Sequence, residues 1–159
     1  PAGQNEVLRL TQSQVGYSYR AVVSYVDSHG TREVLYTSPS ETIDNLDDPV
    51  QGEVTIIGEP KEGVTLRALS DSLSDEDGIA SISISWETSK DGRNWTVLNS
   101  LSGPVLPLTQ ILVGSQVRAR VAVVDNFGIE TNLYSQATRT VENVNNKPSG
   151  RIVIRRVGQ

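Results

Sequence analysis

Cysteine and methionine are both missing from the 159 residues, which hold a single phenylalanine and a single histidine. Without cysteine there is no disulfide framework, no thiolate metal site and no cysteine nucleophile. The compartment stays open, because a domain stabilised by bound metal ions can do without disulfides. The missing methionine fits a segment cut from inside a longer chain. Aromatics make up 5% and hydrophobic residues 36%, so a core has to be built from Val, Ile, Leu and Ala in thin layers. Two facing sheets about 10 Å apart suit that composition. No apolar run approaches the roughly 20 residues of a membrane helix, and no secretory leader is recognisable, so membrane insertion is not expected. Positive charge is scarce as well: 19 acidic against 14 basic residues leave −5, which argues against a nucleic-acid partner.

What is present is an internal repeat. Leu10-Thr11-Gln12 followed by Val15-Gly16 recurs as Leu108-Thr109-Gln110 followed by Val113-Gly114, an offset of 108 less 10, or 98 residues. Without a gap the register also pairs Arg20 with Arg118, Ala21 with Ala119, Val23 with Val121, Val26 with Val124 and Asp27 with Asp125. It continues through Gly30 with Gly128, Tyr36 with Tyr134, Asn45 with Asn143 and Gly52 with Gly150. The chain therefore divides into the second half of one repeat (1–44), a linker (45–51), one complete repeat (52–144), and a linker with the first strand of a further repeat (145–159). A unit of this length is the size of an immunoglobulin-type sandwich.

The local patterns agree with strands. Ile82, Ile84 and Trp86 alternate with Ser81, Ser83 and Ser85, and Val117, Ala119, Val121 and Val123 alternate with Arg118, Arg120 and Ala122, the period of two of a half-buried strand. Tyr19, Ala21, Val23 and Tyr25 repeat the pattern in the half copy. Further strands are expected near 53–57, 64–69, 95–99 and 130–142, with a turn at Lys90-Asp91-Gly92-Arg93 and one short helical turn within 108–113. The predicted fold is all-β, an array of immunoglobulin-like, Greek-key β-sandwich repeats.

Chemistry is concentrated in carboxylates. Asp71 and then Asp75-Glu76-Asp77-Gly78 lie between two expected strands, and acids two apart before a glycine can fold around a hard cation such as Ca²⁺. In a sandwich of this type the loop 71–78, the last hairpin 125–128 and the incoming linker 45–48 share one end. Asp47, Asp48, Asp75, Asp77 and Asp125 are thus candidate metal ligands, since gathering so many like charges is costly unless a cation neutralises them. The bland alternative is that they are solvated turn formers. Asp27, equivalent to Asp125, has no preceding linker and should lack a site. His29 stands in a turn without partners for zinc, and no nucleophile elbow or base accompanies the serines. Trp86 is expected in the core; Trp95 is either core edge or exposed.

Several segments together resemble a known family: Gly52-x-Val54-x-Ile56-x-Gly58, Glu62-Gly63-x-Thr65-Leu66-x-Ala68, Leu73-x-Asp75-x-Asp77-Gly78-Ile79, Trp86, Leu108-Thr109-Gln110-x-x-Val113-Gly114 and Asn143-Val144-Asn145-Asn146-x-Pro148-x-Gly150. They look like the tandem immunoglobulin-like, cadherin-like repeats of giant bacterial adhesins and of calcium-binding secreted proteins of the RTX type. The resemblance implies a secreted or surface-anchored protein whose repeats form a stalk rigidified by Ca²⁺ at the junctions. Where the family linker reads Asn-x-Asn-Asp-x-Pro, the first linker here is Asn45-Leu46-Asp47-Asp48-Pro49 and the second ends in Asn145-Asn146 without a carboxylate. Similar repeats also accompany secreted enzymes such as large haem peroxidases.

The leading expectation is a structural spacer whose partners are neighbouring repeats of the same chain. A second is a module that binds a cell-surface glycan or protein through exposed loops such as 100–107. An enzyme is not expected, for want of a catalytic constellation. The half copy lacks cover for Tyr19, Val23 and Tyr25. Either strand exchange with 151–155 of a neighbouring molecule or packing on the complete copy is expected to supply it.

Overall fold

A computed structural model describes residues 7–155; the ends of the two flanking segments, 1–6 and 156–159, lie outside the described residues. Among the described residues, nine strands and two short 3-10 turns make a nearly all-β structure. Strands β1 (Val22–Val26) and β2 (Arg32–Tyr36) form an isolated hairpin. The next seven are β3 (Thr55–Ile57), β4 (Thr65–Leu69), β5 (Ile79–Ser89), β6 (Thr96–Ser102), β7 (Val105–Pro107), β8 (Gln116–Asp125) and β9 (Glu130–Tyr134). They make a three-stranded sheet, β3-β4-β7, and a four-stranded sheet, β6-β5-β8-β9, with every strand pair antiparallel. The two face each other in a sandwich-like arrangement.

The period of two places the core. Along β8, Val117, Ala119, Val121 and Val123 are at most 1% exposed, while the residues between them are partly open. Leu66 and Ala68 of β4 and Leu106 of β7 cover them from the opposite sheet, and Trp86 of β5 is completely buried beside them. Each large side chain so enclosed contributes about 1.5–3 kcal/mol of transfer free energy. Leu108, just before the 3-10 turn Gln110–Leu112, and Leu112, its last residue, are buried in the same core as Val141. Trp86 keeps its indole N–H satisfied by donating to the Gly103 carbonyl at 3.0 Å, as a buried polar group must.

β9 ends early. Residues 135–142 were expected to continue the strand, but beyond Tyr134 hydroxyls take over the acceptor half of the ladder, Ser135 Oγ accepting from Ala119 N–H (2.9 Å) and Thr138 Oγ1 from Val117 N–H (3.1 Å). The Ser135 and Thr138 N–H groups still donate to the Ala119 and Val117 carbonyls. The chain then crosses to the other sheet, where Glu142 bridges Lys61 in parallel. The half copy repeats these devices at the 98-residue offset. Thr37 Oγ1 accepts from Ala21 N–H and Ser40 Oγ from Tyr19 N–H. Gly16 N–H donates to Ile43 as Gly114 N–H does to Val141. The turn Gln12–Gln14 matches Gln110–Leu112.

Three expectations need correction. The half copy does not pack on the complete one: Val23 is 53% and Tyr25 45% exposed, and Leu35 and Tyr36 are open as well. Residues 151–155, expected as the first strand of a further repeat, lie past the sandwich with Ile152 and Ile154 almost fully exposed, open to the neighbouring strand which that expectation requires. Residues 100–107 are not a loop either, because β6 runs to Ser102 and β7 starts at Val105, and Leu106 is buried. Ile82, expected in the core, remains 41% exposed near the end of β5, whereas Trp86 further along the same face is fully enclosed.

Candidate metal centre

Each acid is placed by a different element. Asp77 sits in the turn before β5, where its N–H donates to Asp75 Oδ1 at 2.8 Å and Gly78 N–H donates to the Asp75 carbonyl. Gly78 has φ +78°, a backbone conformation that side-chain-bearing residues rarely adopt, so this turn needs glycine. Asp125 is the last residue of β8, and its Oδ1 accepts from Phe127 N–H (2.9 Å) and Ile129 N–H (2.7 Å), fixing the β8–β9 turn. Asp27 makes the same two bonds with His29 and Thr31 in the half copy.

The linker arrives from the other side. Gln51 bridges Ser74 through two backbone hydrogen bonds of 2.8 and 3.0 Å, which holds residues 48–51 along the loop 71–78. Asp48 N–H donates to Asp77 Oδ2 at 3.2 Å. Asp47, one residue earlier, is thereby brought to the pair: one carboxylate oxygen from each of Asp47, Asp77 and Asp125 lies within 4.8 Å of the others. Among the described residues this is the one group of three or more acids, histidines or cysteines so arranged.

Of the five candidate ligands, then, Asp47, Asp77 and Asp125 converge through their carboxylates. Asp48 contributes its backbone N–H, and Asp75 caps the turn that presents Asp77. Asp71 and Glu76 stay exposed.

Burial gives the cluster its chemistry. Asp77 and Asp125 are each 4% exposed, and Asp77 Oδ1 and Asp125 Oδ2 are buried without any hydrogen-bond partner. A buried, unsatisfied carboxylate oxygen costs several kcal/mol when nothing compensates its charge. Desolvation first, then the charges of Asp125, Asp77, Asp75 and Asp48, hold the Asp47 carboxyl above its ordinary range. Both penalties are relieved by a cation. The donors are all oxygen, which suits a hard ion, Ca²⁺ or Mg²⁺, rather than a thiolate-seeking metal. Asp77 and Asp125, with Asp47 from the linker, are the residues that would hold it.

A second cluster was not legible in the sequence. On the outer face of the four-stranded sheet, the Arg118 guanidinium lies 4.3 Å from the Trp95 ring centre and 4.4 Å from that of Tyr134. It also pairs with Glu87, 7% exposed, at 2.7 Å. Arg20 stacks on Tyr36 in the half copy, so the repeat Arg20/Arg118 with Tyr36/Tyr134 was the available signal.

Comparison with protein-family models, curated proteins and solved structures finds no match for the chain.

Proposed function

We propose that the chain is a stretch of tandem immunoglobulin-like, Greek-key repeats serving as a structural spacer in a secreted or cell-surface protein, with Ca²⁺ rigidifying the junction between the half copy and the complete copy. The single observation that carries it is the convergence of Asp77 and Asp125, each with one buried, unpartnered carboxylate oxygen, with the Asp47 carboxylate of the linker. One cation there joins the linker to the sandwich, turning a flexible connection into a fixed one. The preceding copy holds the same linker from behind, through Gln12 Nε2–H donating to Asn45 Oδ1 at 3.0 Å.

The strand order β3-β4-β7 against β6-β5-β8-β9, with its crossing of residue 142 to Lys61, supports the immunoglobulin-like assignment. Neighbouring repeats are the partners this reading requires, and they would cover the open face of β1 and β2. The adhesin-like role and the bacterial surface follow from the sequence resemblance alone.

The test is the thermal midpoint in excess chelator, in millimolar Ca²⁺ and in Mg²⁺. An ion that binds only the folded state at a hundred times its Kd adds about 2.7 kcal/mol. A rise with Ca²⁺ beyond that with Mg²⁺ is expected; equal midpoints in all three would make the acids ordinary turn residues.

A further inference from the structure

The far end of the sandwich holds its own linker in another way. Residues 60–62 and 142 run parallel, with Glu142 N–H donating to Pro60 O (2.8 Å) and Glu62 N–H to Glu142 O (2.9 Å). Past that point the Glu62 side chain takes over: its Oε2 accepts from Val144 N–H at 3.0 Å and its Oε1 from Asn146 Nδ2–H at 3.4 Å. The Gln110 amide, turned so that its nitrogen faces the carboxylate, donates to Oε1 at 3.0 Å. Asn146 also donates to the Val144 carbonyl at 3.1 Å. One half-buried carboxylate thus gathers donors from the 3-10 turn and from the outgoing linker.

The 98-residue register makes this informative. Asn145 and Asn146 stand where the first linker has Asp47 and Asp48. An aspartate at 146 would set a carboxylate against Glu62, whereas the amide of asparagine supplies a donor to it. The change of residue therefore does more than remove metal ligands. It turns the linker back onto its own repeat.

We propose that Glu62 is a metal-free latch for the outgoing linker, so that the complete repeat holds its incoming linker through carboxylates converging on a cation site and its outgoing one through hydrogen bonds to a single carboxylate. Glu62 acts as a positioning residue, fixing the direction in which residues 144–146 leave the sandwich. The latch is independent of whether the Asp47, Asp77 and Asp125 cluster takes up calcium.

Amide hydrogen exchange of the whole chain in excess chelator tests it, with Val144 read against Val121 of the core. In the unaltered chain Val144 is expected to be protected. Asn146→Asp should speed its exchange at least about tenfold, as loss of hydrogen bonds to a charged acceptor implies, and leave Val121 unmoved. Glu62→Gln combined with Asn146→Asp should restore protection, because the glutamine amide then donates to the new aspartate while its oxygen still accepts from Val144. Unchanged exchange at Val144 in Asn146→Asp, equal loss at Val144 and Val121, or failure of the double variant to recover would each overturn the latch. Chelator removes calcium from every arm, so failure here and failure of the calcium reading are separate results.

Discussion

Asp77 and Asp125 lie side by side at one end of the sandwich, each 4% exposed and each with one buried carboxylate oxygen that no donor reaches. Two such groups are unfavourable neighbours in the absence of positive charge. Asp77→Asn removes one charge and keeps the shape. In chelator its thermal midpoint should therefore equal or exceed that of the unaltered chain. In millimolar Ca²⁺ the order should reverse, because the variant forfeits the ion. Calorimetry of the two proteins under both conditions checks the crossing, and a variant less stable in chelator as well would point to a purely structural role for this carboxylate.

Asp47 gives that crossing a pH dependence. Its folded pKa lies above the ordinary 3.8, from desolvation first and then from the neighbouring carboxylates. The fold thus binds this proton more tightly than the unfolded chain does. The corresponding stability is present below pH 3.8 and is lost as pH rises through the raised value. In chelator, Asp47→Asn should accordingly be relatively more stable than the unaltered chain above that window, with the difference vanishing on acidification. Midpoints measured from pH 3 to 7 read it directly.

Asp91 should behave in the opposite sense. The N–H groups of Asn94 and Arg93, then the Asn94 side chain and the Ser89 hydroxyl, all donate to its carboxylate and hold its pKa well below the ordinary 3.8. The stability this gives the 89–94 turn is present above pH 3.8 and is lost as pH falls further. Asp91→Asn should lower the midpoint at pH 7 and flatten its fall in acid. Equal acid limbs in the two proteins would show that the turn does not depend on the charge.

Much of the fold was legible because burial in a sheet has a period of two. The alternation along Val117, Ala119, Val121 and Val123 is reproduced residue for residue in their burial. Ile82 departs from it since exposure depends on what the opposite sheet covers, which alternation within one strand does not encode. The 135–142 segment reads as strand by composition, yet there the Ser135 and Thr138 hydroxyls, in place of backbone carbonyls, accept from the N–H groups of β8. At the site, residue types and loop order pointed to Asp47, Asp77 and Asp125 together. They did not reveal that Asp48 reaches Asp77 through its backbone N–H or that Asp75 serves the turn, because both depend on where the linker docks. The stack on Arg118 required the register of β5, β8 and β9, which spans residues far apart in sequence.

Trp86 offers a check on the core. It is fully buried, and its only polar atom donates to Gly103 O. Trp86→Phe should cost about 1–3 kcal/mol, since the smaller ring leaves unfilled volume and the Gly103 carbonyl loses its indole donor. Trp86→Ala should cost about 3–5 kcal/mol. Urea titrations distinguish the two, and near-equal values would mean that the space around the ring collapses freely.

The Arg118 cluster makes a sharper prediction, because its three partners are of two kinds, one carboxylate and two aromatic rings. Glu87 is 7% exposed and meets Arg118 through two hydrogen-bonding nitrogens, while Trp95 and Tyr134 cover the faces of the guanidinium. Arg118→Ala strands the Glu87 carboxylate and should cost about 2–3 kcal/mol, the Arg118 side chain being 25% exposed and part of the charge relieved by water. Arg118→Lys keeps the charge but has no planar face to stack and no fork for the carboxylate. It should recover only part of the loss. Arg118→Met with Glu87→Leu removes both charges and should be more stable than Arg118→Ala alone. A lysine variant as stable as the unaltered chain would show that charge alone holds the cluster, with the two aromatic rings as bystanders.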